Sequence, residues 1–182
     1  AILMVLRFFS MFGLNRIFAQ PQTFGEFTAT TVITLVGLIA IPALLAAWLF
    51  TKNPRETLLL RMPSGLSMVA AVALALCVHP LLYVLSDIVG TVFPVGAEVK
   101  EFESQFQQVL AQAPSIWAVL LLIAVLPAIC EELAFRGYIL SGLRKMGNKW
   151  GAIILSAAFF GIAHGMLQQE VMACLTGIVI GF

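Results

Sequence analysis

The stretch FTATTVITLVGLIAIPALLAAWLF, residues 27–50, runs for 24 residues without a charge. An α-helix needs about 20 predominantly apolar residues to cross the hydrocarbon core of a bilayer. Pro42 lies inside the stretch, which is tolerated in a membrane helix because neighbouring groups can satisfy the carbonyl that a proline leaves free. Trp48 lies near the end, where an aromatic anchor at the membrane interface is expected. The stretch therefore predicts a transmembrane helix.

Similar stretches follow along the chain. Three of them predict further helices that cross the membrane, at residues 66–89, 115–140 and 150–165. A fifth helix is predicted to begin near Gln169, and residues 1–19 predict either the end of a span or an interfacial helix. Both ends of the chain lie in apolar sequence, so we expect it to be a segment of a longer protein.

Composition supports the same fold class. Hydrophobic residues make up 61% of the chain and charged residues 10%, whereas soluble domains are about half apolar and about a quarter charged. The net charge of +1 gives no electrostatic reason to expect nucleic-acid binding. The sequence predicts an all-α, polytopic transmembrane helix bundle with about four complete spans and partial ones at the ends.

The charges in the loops predict how the chain is oriented. The segments 51–65 and 141–149 carry three basic residues each, and 90–114 carries one basic residue against three acids. Because basic loops tend to stay in the cytoplasm, we place 51–65 and 141–149 there. The predicted location is an integral, multi-pass position in a bacterial plasma membrane.

Two adjacent carboxylates, Glu131 and Glu132, follow an apolar run directly. An acidic residue at the centre of a membrane helix costs about 2.5–3.5 kcal/mol, and such groups usually face the bundle interior and serve function. Glu132 and Arg136 are four residues apart and can pair on one helix face. Glu131 points about 100° away from Glu132, so it has no local cation and is suited to act as a general base.

His164 lies on the next predicted helix. Counting about 1.5 Å per residue from the intervening loop, Glu131 and His164 lie about 15 Å and 22 Å from it. A tilt or kink brings them to one level, where a carboxylate and an imidazole could hold a water molecule between them.

The spacing of these residues resembles the first two motifs of the CPBP family of intramembrane proteases. Glu131 and Glu132 are followed by Arg136, and Phe160 is followed four residues later by His164. The family includes CAAX prenyl endopeptidases and bacteriocin-processing or self-immunity proteins. The resemblance covers roughly residues 115–182. It implies an endopeptidase in which Glu131 and His164 activate water, Glu132 and Arg136 support the site, and a later histidine and asparagine stabilise the oxyanion.

The domain division and the partners follow from this resemblance. Residues 114–182 are interpreted as the protease core, and residues 1–113 as N-terminal helices that either begin the protease domain or continue a transporter permease. The expected partners are the lipid bilayer, a protein or lipidated peptide substrate near the membrane and, in the permease case, an ATP-binding subunit of an ABC transporter. A metal is not required, although zinc, and hence a metalloendopeptidase, is the alternative; catalytic zinc usually takes three protein ligands.

Other interpretations stay open from the residues alone. Glu131, Glu132 and Arg136 could form a structural ion-pair group, and His164 could be a core histidine bonded to a backbone carbonyl. The whole chain could be a transporter component or a non-catalytic immunity or scaffold protein.

Overall fold

The computed structural model describes residues 21–60, 62–94, 96–145, 147–164 and 167–181. They form seven helices: α1 (Phe24–Phe50), α2 (Pro54–Thr57), α3 (Gly65–Val92), α4 (Ala97–Ala111), α5 (Ile116–Arg144), α6 (Lys149–Ile162) and α7 (Leu167–Gly181). The segment predicted at residues 1–19 lies outside the described residues.

The predicted fold class is confirmed, because the described elements are helices and three of them are long and apolar enough to cross a membrane. These three helices, α1, α3 and α5, have 27, 28 and 29 residues. Helix α6 was expected to be a complete span, but it has only 14 residues and ends at Ile162. It is therefore shorter than the roughly 20 residues that a perpendicular span requires.

Helices α1 and α5 are not regular α-helices throughout. The segments Ile33–Ala40 and Leu121–Val125 are π-helical, and each ends two residues before a proline, Pro42 or Pro127. Proline lacks an N–H group and its ring clashes with the carbonyl four residues earlier, so the regular hydrogen-bond pattern is already interrupted there. A third π-helical segment, Glu132–Leu140, begins directly after Glu131. Such segments are frequently found at functional sites.

Helices α1 and α5 pack side by side and run in the same direction. Three buried clusters contain residues of both helices: Phe27 with Leu122, Leu35 with Cys130, and Ala43 with Phe135. From one cluster to the next, the residue numbers increase along both helices, so the two helices are parallel. The same direction is expected of two spans separated by one other, so the packing agrees with the predicted order of spans.

Helices α6 and α7 pack closely and antiparallel. Three glycines face the partner helix: a Cβ atom on Gly161 would lie 2.6 Å from the carbonyl oxygen of Glu170, and one on Gly177 would lie 3.1 Å from Cβ of Ala157. A Cβ atom on Gly181 would lie 3.2 Å from the Ile153 side chain. The two helix backbones can approach this closely because the contact positions lack side chains.

The segment 90–114 was predicted to be a polar loop, and this prediction is wrong for most of it. Residues Ala97–Ala111 form helix α4, whose Val109 is buried in a cluster with Phe27 and Leu122. Phe106 packs edge-on against the ring of Phe27, with centroids 5.4 Å apart. The apolar residues of α4 recur every three to four positions, so they form one face that packs on α1 and α5.

Candidate active site

Glu131 lies on α5 at the point where the α-helical turn gives way to the π-helical segment Glu132–Leu140. Its side chain is half-buried and interacts electrostatically with His164 and Arg136. Among the described residues its carboxylate has no hydrogen-bond or ion-pair partner. As far as the described residues are concerned, both carboxylate oxygens are available to accept hydrogen bonds from a water molecule or a substrate.

Glu132 and Arg136 form the ion pair that their spacing predicts. The Arg136 Nη1 group donates to the Glu132 carboxylate across one helical turn. The Arg136 side chain is 13% exposed and that of Glu132 is 51% exposed, so the pair runs from the interior to the surface. The hydrogen bond of Arg136 goes to Glu132 and not to Glu131, on which Arg136 acts only electrostatically.

His164 lies in the turn that follows α6, two residues after the helix ends at Ile162. Its backbone N–H donates to the carbonyl of Gly161, at 2.9 Å. Its ring Nδ1 lies 2.8 Å from the carbonyl oxygen of Phe160. Because a carbonyl can only accept, Nδ1 donates in this contact, and in the neutral form of the ring Nε2 is then the acceptor. No described residue binds Nε2, so this atom can contact a water molecule.

The Phe160 ring connects the residues of the two helices. The Arg136 guanidinium lies over this ring, with Cζ 5.1 Å from the centroid. The His164 ring meets Phe160 edge-on at 4.9 Å, and the Phe135 ring meets it edge-on at 5.2 Å. A cation over an aromatic face and edge-to-face ring pairs are both favourable arrangements. One phenylalanine therefore fixes the relative positions of Arg136 and His164.

Ser156 supplies a connection that sequence reasoning missed. Its buried hydroxyl donates to the carbonyl oxygen of Phe135 on α5, at 3.1 Å. Phe135 lies in the π-helical segment, and its carbonyl oxygen, which has two lone pairs, can accept the Ser156 hydroxyl in addition to a hydrogen bond within its own helix. No motif marks Ser156 in the sequence. The only available signal was its spacing from the apolar residues Ala152 and Ile153, which puts it on the same, buried face of α6.

The small residues near His164 contact two different helices. Gly161 faces α7, and Ala163 packs against the cluster that contains Phe135 of α5. Gly165 lies outside the described residues.

The residues do not by themselves fit a catalytic zinc ion. Over the described parts of the chain, no group of three or more histidine, cysteine, aspartate or glutamate side chains lies close enough together to hold a metal ion. Catalytic zinc sites usually use three such ligands. The candidate site instead offers one carboxylate and one imidazole that interact electrostatically, with Arg136 acting on the same carboxylate.

Comparison with known families supports the resemblance. A family model described as type II CAAX prenyl endopeptidase, Rce1-like, matches residues 113–182. This region contains α5, α6 and α7 and all four predicted site residues. No curated protein and no solved structure matches the chain significantly. The comparisons do not support a permease fused at the N-terminal side.

Proposed function

We propose that this protein is an intramembrane endopeptidase in which Glu131 and His164 activate a water molecule. The observation that carries the proposal is an electrostatic interaction between Glu131 on α5 and His164 after α6. No described residue binds the Glu131 carboxylate, and the His164 ring is held by its Nδ1 contact with the Phe160 carbonyl. The match to a family of CAAX prenyl endopeptidases supports a proteolytic reaction. The three membrane-length helices support an integral membrane setting for it.

The proposed reaction is hydrolysis by general acid–base catalysis. Glu131 takes a proton from the water molecule while the water oxygen attacks the carbonyl carbon of the scissile peptide bond. The Nε2 atom of His164 accepts the second hydrogen bond of that water and so holds it in position. The carbon–nitrogen bond then breaks, and the leaving amine takes up the proton that Glu131 holds. Positioned groups of this kind typically contribute a factor of about 10²–10⁴ in rate.

Glu132 and Arg136 have supporting roles in this proposal. Arg136 interacts electrostatically with Glu131. Its guanidinium also lies over the ring of Phe160, which is one helical turn before His164. The ion pair with Glu132 fixes where the guanidinium lies. The proposed substrate is a membrane-associated protein or peptide with a lipidated cysteine near its C-terminus, in keeping with the name of the matching family.

The test is cleavage of a fluorogenic peptide with a prenylated cysteine by the purified full chain in proteoliposomes. Glu131→Gln and His164→Ala are each expected to lower the cleavage rate by about 10²-fold or more. Glu103→Gln is the matched control, because Glu103 is an exposed carboxylate on α4, and it should cleave like the wild type. Full activity in either site variant, or no cleavage by the wild type of any such peptide, would contradict the proposal.

A further inference from the structure

A cleft lies at the end of α1 and α5 where the short helix α2 joins them, away from the candidate active site. Its volume is about 490 Å³. The side chains that line it include two lysines, Lys52 and Lys145, and the polar residues Thr51, Asn53 and Ser141. Lys145 lies 14 residues after Glu131, about 20 Å along the helix at 1.5 Å per residue. The cleft is therefore separate from the candidate active site.

The charge of the cleft is positive. The lysines come from the two predicted cytoplasmic loops, and neither has an ion-pair partner among the residues that the structure describes. One carboxylate, Glu56, also lines the cleft. Its Oε2 accepts a hydrogen bond from Asn53 Nδ2 at 3.3 Å, which engages one of its oxygens within α2 and its cap. The lining of the cleft therefore carries two ammonium groups and one carboxylate, a net positive charge.

The cleft continues into a second one that is mostly apolar. The second cleft has a volume of about 390 Å³ and shares four lining residues with the first: Phe50, Thr51, Thr57 and Lys145. It is lined further by Tyr138, Ile139 and Leu143 of α5. The combined shape has a basic, hydroxyl-rich end and an apolar end, which matches the two chemical parts of a lipid.

The position of the cleft also fits a lipid. Phe50 is the last residue of the membrane-length helix α1 and is 78% exposed, and Trp48 beside it is 70% exposed. Apolar side chains this exposed at a helix end are expected to lie in the membrane interface. The turn after α2 is held against α5 because Gly137 has no side chain; a Cβ atom there would lie 3.1 Å from the Leu58 backbone. The two walls of the cleft are thus fixed relative to each other.

We infer that this cleft binds the head-group phosphate of an anionic phospholipid, with Lys52 and Lys145 contacting the phosphate and an acyl chain lying along Phe50, Ile139 and Leu143. Basic pockets between membrane helices on the cytoplasmic side are a common form of such sites. An acidic peptide would satisfy the lysines but would leave the apolar end of the cleft without a partner. The lipid satisfies both ends.

The test uses the full chain in detergent and counts bound dioleoyl phosphatidylglycerol by native mass spectrometry, with dioleoyl phosphatidylcholine for comparison. Phosphatidylglycerol is expected to bind more tightly than phosphatidylcholine. Lys52→Gln and Lys145→Gln are each expected to weaken its binding about fivefold, and the double variant about 25-fold, since a lysine near an anionic surface contributes about 1 kcal/mol. Arg55→Gln removes one charge from the same loop outside the cleft and should bind like the wild type.

Several outcomes overturn this inference. Equal binding of the two lipids, equal loss of affinity in Arg55→Gln, or displacement of the lipid by millimolar inorganic phosphate would each show that the cleft does not select a lipid head group. Binding of an acidic peptide in preference to phosphatidylglycerol would have the same meaning. The double Lys→Arg variant keeps both charges and should restore binding, which separates a loss of charge from a loss of fold.

Discussion

Among the described glycines, Gly161 has the least room for a side chain, where α6 packs against α7. A Cβ atom there would lie 2.6 Å from the carbonyl oxygen of Glu170 and 3.1 Å from Cβ of Cys174. The nearest atom belongs to the backbone, so the substitution Gly161→Ala requires α7 to move. Forcing an extra carbon into a packed interface costs about 1–3 kcal/mol.

Gly142→Ala is the matched control for this prediction. Gly142 is also helical, but no heavy atom lies within 4 Å of a Cβ built there. Inside a helix, alanine stabilises the folded state by about 0.5–1 kcal/mol relative to glycine, and both variants gain this stabilisation. The difference between the two free energies of unfolding therefore isolates the contact, and we expect Gly161→Ala to be about 1–3 kcal/mol less stable than Gly142→Ala.

The assay is denaturant unfolding of both variants in detergent micelles, followed by circular dichroism. Equal stability of Gly161→Ala and Gly142→Ala would refute the close approach of α6 and α7. A functional effect is expected in the same direction, because Gly161 precedes His164 by three residues and its carbonyl accepts the His164 backbone N–H. The cleavage rate should fall in Gly161→Ala and stay unchanged in Gly142→Ala.

Two further substitutions test how α5 and α6 are held together. Ser156→Ala removes the buried hydrogen bond to the Phe135 carbonyl and should lower the free energy of unfolding by about 1 kcal/mol; a variant as stable as the wild type in the same unfolding assay would show that the bond is not formed. Arg136→Gln removes two interactions: the contact with the Phe160 ring, worth about 0.5–1 kcal/mol, and the ion pair with the half-exposed Glu132, worth about 0–1 kcal/mol. A combined loss of about 0.5–2 kcal/mol in the free energy of unfolding is expected. Arg136→Lys should recover only part of it, because lysine lacks the planar guanidinium; full recovery would mean that charge alone matters.

The three long helices could be predicted from the sequence because each depends only on a local run of apolar residues. The structure places α1, α3 and α5 at Phe24–Phe50, Gly65–Val92 and Ile116–Arg144, within a few residues of the predicted ranges. The ion pair of Glu132 and Arg136 could also be predicted, since spacing along one helix decides it.

Helix α4 shows where hydropathy alone misleads. Its charges, Lys100, Glu101 and Glu103, make the segment polar on average, so it was interpreted as a loop. The periodicity of its apolar residues contained the missing signal: Phe102, Phe106 and Val109 lie on one helical face.

The tertiary contacts of the candidate site could not be predicted. The π-helical segment after Glu131 depends on how α5 packs against its neighbours, and single-sequence periodicity does not register it. The end of α6 at Ile162 was predicted three residues too late, because both Gly161 and Gly165 could end the helix and hydropathy does not choose between them. The contact of Gly161 with α7 depends on the rotation of α6 about its axis, which composition does not determine.

The most direct measurement for the proposed mechanism compares cleavage rates of Glu131→Gln, His164→Ala and the double variant in proteoliposomes. If two residues position and activate the same water molecule, removing either one abolishes the contribution of both to the rate. A second substitution should then lower the cleavage rate little further. We predict that the double variant cleaves the prenylated peptide at the rate of the slower single variant. If the two reductions multiply instead, Glu131 and His164 act independently and the shared water molecule is ruled out.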